Sequence, residues 1–193
     1  MTTSTLTRSP RARVPLDPPT GWFARWIDRL IARRFGGPAD PLRAMWHNPR
    51  VLRADLALEA GVSRLRTLPP HLGTLAQMTA AVQIECGWCL DFGYFLAHAQ
   101  GVEPAKLEQV PTWRTSDAFT PLERRVMEFA EAATATPPAV TDGMAAALRA
   151  DLGDDGLVEL TMLVAVENLR SRFNSTLGLS SQGFSESCRV PGA

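Results

Sequence analysis

The chain has 193 residues, 45% apolar and 21% charged, which is ordinary globular usage and length enough for one domain with a real core. Lysine plus arginine balance aspartate plus glutamate, so the formal net charge is zero and nucleic acid, which needs a basic face, is not an expected partner. No segment reaches the roughly 20 apolar residues that span a bilayer, so no membrane partner is expected either.

Residues 1–20 are rich in Thr, Arg and Pro and lack the apolar stretch of a secretory signal, so they read as a disordered arm on a cytoplasmic protein. Residues 21–37 form an expected helix that ends at Gly36-Gly37-Pro38. Phe23, Trp26, Ile27, Leu30 and Ile31 share one face of it, which is expected to pack on the domain or on a neighbouring subunit rather than on a membrane. A second helix is expected over residues 49–65, broken by Leu68-Pro69-Pro70. An Ala- and Met-rich helix covers 71–84, and another covers 87–100 with Gly101 as its stop. Thr120-Pro121-Leu122-Glu123 is a helix start with a cap, a first-position proline and an acid in the third position, and that helix runs to about residue 135. Thr141 caps a shorter helix to about 152, and Asp154 or Asp155 opens a long one to about 177. No run alternates with a two-residue period for long enough to make a strand. The fold class is therefore all-α, an orthogonal helical bundle: one domain over 21–178 and a tail, 179–193, that carries Cys188.

The chemistry concentrates in Glu85-Cys86-Gly87-Trp88-Cys89. Residues i and i+3 share a helix face, so the two sulfurs can meet with little backbone movement. The helix break near 85–87 puts the pair in a first turn, where free N–H groups and the dipole favour a thiolate. A thiolate attacks peroxides and disulfides, and a neighbouring thiol resolves the sulfenic acid that forms. Three cysteines cannot build a disulfide framework, and a close pair in a reducing compartment is more often catalytic or metal-binding than structural. Structural zinc and a simple buried pair remain open. Zinc needs further ligands, yet His47, His71 and His98 form no ligand pair and Cys188 is distant in sequence, so no metal and no cofactor is expected.

At these residues the chain resembles the carboxymuconolactone decarboxylase and alkylhydroperoxidase D superfamily. The resemblance spans about residues 46–177. It rests on His47-Asn48-Pro49-Arg50-Val51-Leu52, on Leu68-Pro69-Pro70-His71-Leu72, on Ala80-Ala81-Val82 through Cys86-Gly87-Trp88-Cys89-Leu90, and on Phe119-Thr120-Pro121-Leu122-Glu123-Arg124. It implies an alkylhydroperoxidase D-like helical bundle, a homo-oligomer (trimer or hexamer), and peroxidase or thiol–disulfide activity on a small peroxide with a thiol or dithiol reductant. It also implies that Cys89 attacks the peroxide and that Cys86 donates a proton and resolves.

The alkylhydroperoxidase pattern has a His four residues after the second cysteine and a Glu twelve before the first; Gly93 and Thr74 stand there. Glu85, one turn before Cys89, is a candidate base, with a first-turn acid as its alternative. Asp91 reads as a solvated acid or a partner for an arginine, and His98 as a helix-end surface residue. Gly93 leaves room over the sulfurs for a ligand or for a side chain from another helix. Leu157, Leu160, Thr161, Val164, Asn168, Ser171 and Ser175 make a final-helix stripe that turns from apolar to polar. Glu167, Asn168, Arg170 and Arg172 could line a pocket there, although an exposed helix end is the favoured reading. The alternative function is a non-redox enzyme of the decarboxylase type, acting on a lactone-like substrate, or a small-ligand binding protein with structural cysteines.

Overall fold

The computed structural model describes residues 12–99 and 102–185. Every regular element among them is helical. In chain order these are α1 (Trp22–Phe35), α2 (Asp40–Met45), α3 (Pro49–Val62), α4 (Pro70–Ile84), α5 (Gly87–Ala99), α6 (Pro104–Leu107), a 3-10 turn (Val110–Thr112), α7 (Pro121–Thr134) and α8 (Asp142–Thr176). The caps read from sequence hold. Thr120 and Glu123 close a capping box, and Thr141 accepts the Met144 N–H. Asn48 adds a cap, accepting from the N–H groups of Arg50 and Val51. The two helices expected over 141–177 are the halves of α8, separated at Gly153 (φ 75°, ψ 175°). The shorter α2, α6 and 3-10 turn have too few residues to display a period. They exist because the chain buries Met45, Leu107 and Val110 there.

Helix α4 is the centre. Apolar residues fall on most of its faces, which suits a helix largely surrounded by others, and Leu72, Leu75, Ala76, Ala80 and Ala81 are essentially without solvent exposure. One face meets α7 and α8 through Leu72, Ala76, Val126, Phe129, Leu160 and Val164. Another meets α5 and the 3-10 turn through Leu75, Met78, Ala97, Val110 and Met127. Burying each such leucine contributes about 1.5–3 kcal/mol.

A third cluster joins the cysteines to both ends of the described residues. Cys86, Trp88 and Cys89 pack with Ala39, Leu179 and Phe184, and Ala12, Val14 and Leu16 lie against them. The arm expected to be disordered is packed over residues 12–16: the alternating Ala12, Val14 and Leu16 have an apolar surface to cover, and the Arg13 N–H donates to Leu177 O at 2.8 Å. Residues 1–11, and Cys188 with the rest of 186–193, lie outside the described residues. The apolar stripe of α1 divides. Ile27 and Ile31 are half-buried, whereas Phe23, Trp26 and Leu30 remain at least half exposed. Ile31 and Phe35 pack against the cysteine cluster, and a forked Arg43–Asp28 pair at 2.8 and 2.9 Å adds a polar tie to the body.

No helix among the described residues is long and apolar enough to cross a membrane.

Candidate active site

Helix α4 stops at Glu85, which takes a left-handed conformation (φ 57°, ψ 40°). The Glu85 N–H donates to Val82 O and the Cys86 N–H to Ala81 O, the paired bonds of a Schellman stop. The turn delivers Cys86 to the position just before α5. Its carbonyl accepts from the Leu90 N–H, and its Sγ accepts from the Cys89 N–H at 3.3 Å. Cys86 thus caps α5 with its sulfur, and Cys89 sits one turn in. The two are joined as a disulfide with their Cα atoms 5.3 Å apart. In the dithiol state the same N–H and the helix dipole favour a thiolate here.

The two sulfurs have different surroundings. Cys86 is fully buried. Cys89 lines a cavity of about 880 Å3 that runs between α3, α4, α5 and α8. Most of its wall is apolar, including Leu56, Met78, Phe92, Leu163 and Phe173. Its polar groups come chiefly from α3 and α8: Asp55, Glu59, Glu167, Arg170 and Asn174. Arg170 holds Glu59 by two bonds of 2.7 and 2.6 Å and reaches Glu167 at 3.3 Å. Burial raises the Glu167 pKa, and this outweighs the opposing pull of Arg170 and of the Ser171 hydroxyl, which donates to it at 2.8 Å. Burial, with Glu59 nearby, raises Asp55 as well. On Cys89 itself, Asn174 Nδ2 donates to Sγ at 3.3 Å.

Gly93 and Thr74 both line the cavity. The space expected over Gly93 is filled from α4: a Cβ at 93 would stand 2.7 Å from Met78 Sδ, so close packing of two helices, not a ligand, accounts for the glycine. Glu85 is exposed and is not among the residues of the cavity wall. Asp91 is buried, not solvated. Its carboxylate accepts the backbone N–H groups of Gln182, Gly183, Phe184 and Ser185 at 2.7–3.1 Å and straps the C-terminal segment across α5. Trp88 joins this strap, donating Nε1–H to Gln182 Oε1 at 2.7 Å and stacking on Phe92. The α8 stripe is buried at Leu160, Val164, Ser171 and Ser175, with Thr161 exposed. Glu167 and Arg170 reach the cavity, while Asn168 and Arg172 instead clamp α8 to Thr134 and Thr136 at the end of α7. No group of three or more His, Cys, Asp or Glu among the described residues could hold a metal ion.

Residues 49–132 match the carboxymuconolactone decarboxylase family. Across nearly the whole chain, 184 residues are 31% identical to the uncharacterized protein YnjA of Escherichia coli (strain K12), covering 94% of this chain and 96% of that one. The chain belongs to the carboxymuconolactone decarboxylase family. Solved structures agree on the fold. A peroxidase-related protein of Silicibacter sp. TM1040 has a TM-score of 0.81 at 14% identity, covering 96% of this chain and all of that one. An alkylhydroperoxidase AhpD core, the uncharacterized peroxidase-related protein of Ralstonia eutropha JMP134, has 0.79 at 18%, covering 94% and 98%. The debrominase Bmp8 in complex with 2,3,4-tribromopyrrole has 0.77 at 16%, covering 92% and 97%. At these identities the likeness is one of architecture, and it makes the chain an alkylhydroperoxidase D-like helical bundle within its family.

Asn174, which reading the sequence overlooked, is the α8 residue that touches the dithiol. Its signal was present: it lies three residues beyond Ser171 and seven beyond Glu167, on the same buried edge.

Proposed function

We propose that this protein is a cytoplasmic dithiol hydroperoxidase, or thiol–disulfide oxidoreductase, of the carboxymuconolactone decarboxylase family. One observation carries the reading: two bonded cysteines stand at the start of α5, and only the second faces a large cavity. Cys89 as a thiolate attacks the distal oxygen of R–O–O–H. An S–O bond forms, the O–O bond breaks, and the alkoxide leaves with the proton of the Cys86 thiol. The Cys86 thiolate then attacks the sulfenic sulfur. The S–S bond forms, and hydroxide departs with the proton that Cys89 first released. The dithiol has given two electrons to the peroxide, and a thiol or dithiol reductant restores both thiols by exchange. Helix α5 favours the Cys86 thiolate as leaving group in that exchange, because the Cys89 N–H already points at its sulfur. Glu85 is the base of this proposal, one turn before Cys89 and exposed at the α4 stop. Assembly into a trimer or hexamer belongs to the same proposal.

The test is peroxide consumption by the reduced protein, with cumene hydroperoxide as oxidant and dithiothreitol as reductant. With dithiothreitol present, Cys89→Ser falls to the rate of dithiothreitol alone. With the reductant removed, wild type loses two thiols per peroxide, and Cys86→Ser stops at a sulfenic acid that dimedone traps. Full turnover in Cys89→Ser overturns the reading.

A second reading draws on the cavity, whose size exceeds what a small peroxide needs. It is an enzyme for a lactone-like or other small ring, or a binding protein for one. The fold also serves a debrominase bound to a halogenated pyrrole. Turnover or binding of such a ring unaffected by thiol alkylation would favour it.

A further inference from the structure

Asn174 makes one hydrogen bond and withholds another. Its Nδ2 donates to Cys89 Sγ at 3.3 Å, while its Oδ1 is buried without a hydrogen-bond partner. The residue is 2% exposed, so Oδ1 has no recourse to bulk water, and a buried acceptor left unpaired costs free energy. The orientation of the amide is not arbitrary. A disulfide sulfur, like a thiolate, carries no proton, so it takes the N–H side, and the oxygen must face elsewhere. Asn174 lines the cavity that Cys89 lines. A ligand brought against this sulfur therefore meets the residue whose second amide atom still lacks a donor.

We infer that Asn174 is a catalytic residue of the hydroperoxide reaction: its Oδ1 accepts the hydroperoxyl O–H of the substrate while its Nδ2 holds the attacking Cys89 sulfur. The inference rests on the hydroperoxidase reading above. The hydrogen-bearing oxygen of R–O–O–H is the distal one, the atom that the thiolate attacks. A bond from that O–H to Oδ1 fixes this oxygen beside Sγ and leaves the R–O end in the apolar body of the cavity. One planar amide then orients both reacting partners, which is how binding geometry lowers a bimolecular barrier. The N–H bond strengthens when the sulfur is a thiolate, because it becomes charge-assisted. Electrons and atoms balance as in the peroxide step already given. Asn174 itself is neither protonated nor consumed. It also explains how the chain positions a peroxide where the alkylhydroperoxidase relay residues are replaced by Thr74 and Gly93.

The test compares two oxidants on the reduced protein in single turnover. Cumene hydroperoxide has the O–H; methyl methanethiosulfonate has none and, with Cys188→Ser as the common background, reports the nucleophilicity of the dithiol. In Asn174→Ala the hydroperoxide-to-thiosulfonate rate ratio is expected to fall by about tenfold or more, the equivalent of one lost hydrogen bond. Equal losses with both reagents, or no loss, overturn the inference. Asn174→Asp keeps the shape and the acceptor but not the donor, and it decides the matter if the alanine variant does not fold. Both of its absolute rates fall, because a charge beside the sulfur opposes the thiolate, yet the ratio stays near that of wild type. A ratio that drops as expected for the alanine overturns the inference. If wild type itself reduces no hydroperoxide while reacting with the thiosulfonate, the hydroperoxidase reading has failed, and this inference with it. A failure confined to the ratio leaves the dithiol reading standing.

Discussion

Asp91 illustrates how much a single carboxylate can organise. Burial by itself would push its pKa up, but the backbone N–H groups of Ser185, Gln182 and Phe184 stabilise the charged form and bring the pKa below the ordinary value. A carboxylate whose folded pKa is depressed stabilises the protein at pH above the ordinary carboxylate range. That contribution is lost as pH falls through the ordinary value toward the lower folded one. Asp91→Ala is expected to cost about 2–3 kcal/mol at neutral pH, the range for hydrogen bonds to a charged group whose partners are left buried. The difference from wild type in urea-melt stability should shrink as pH falls through that window. A pH-independent difference would mean that packing of Phe184 and Leu179, not the charge, holds the strap. The residue scale also accounts for a departure from the alkylhydroperoxidase pattern. Met78 Sδ occupies the room that a side chain at position 93 would need, so a histidine there would have to displace the Met78 side chain.

At the scale of elements, α8 depends on one interruption. Gly153 takes a φ of 75° and ψ of 175°, a region open essentially to glycine. The break separates the N-terminal half, with Leu148 in the core, from the half that carries Leu160, Glu167 and Asn174. A Cβ at 153 would also stand 2.8 Å from Asp155 Oδ1. Gly153→Ala is expected to destabilise by about 1–3 kcal/mol, seen as a lowered thermal midpoint. An unchanged midpoint would show that the kink is not strained for alanine. The α4–α5 junction works the other way: Glu85 holds a left-handed stop without being glycine, and the turn survives because its two hydrogen bonds and the buried Cys86 over-determine it.

For the whole molecule, the face of α1 is the part left over. Trp22 is 79% exposed, and Phe23, Trp26 and Leu30 are at least half exposed, a concentration of large apolar side chains that a lone domain rarely shows to water. The proposed trimer or hexamer would cover such a face. Sedimentation of wild type is expected to give a mass several times the 21.0 kDa of one chain, and Trp26→Glu is expected to shift it toward monomer. A wild-type monomer at micromolar concentration would remove oligomerisation from the proposal.

What the sequence determined by itself is local. The spacing of Cys86 and Cys89 brings two sulfurs together because three residues make nearly one helical turn, and the caps at Thr120 and Thr141 set helix starts by bonds spanning three residues. The long apolar elements, and hence an all-α fold, follow from periodicity in the same way. Only the tertiary structure decided which sulfur faces the cavity, because α3 and α8 must pack against α4 before there is a cavity to face. Asn174 reaches Cys89 across 85 residues of chain, and Asp91 meets its strap across 91 to 94. No local pattern encodes partners at that separation. Burial turned Asp91 from a surface acid into an anchor and Glu167 from a helix-end acid into a carboxyl with a raised pKa. The sequence supplies the dithiol, and the packing of distant helices supplies the groups that stand around it.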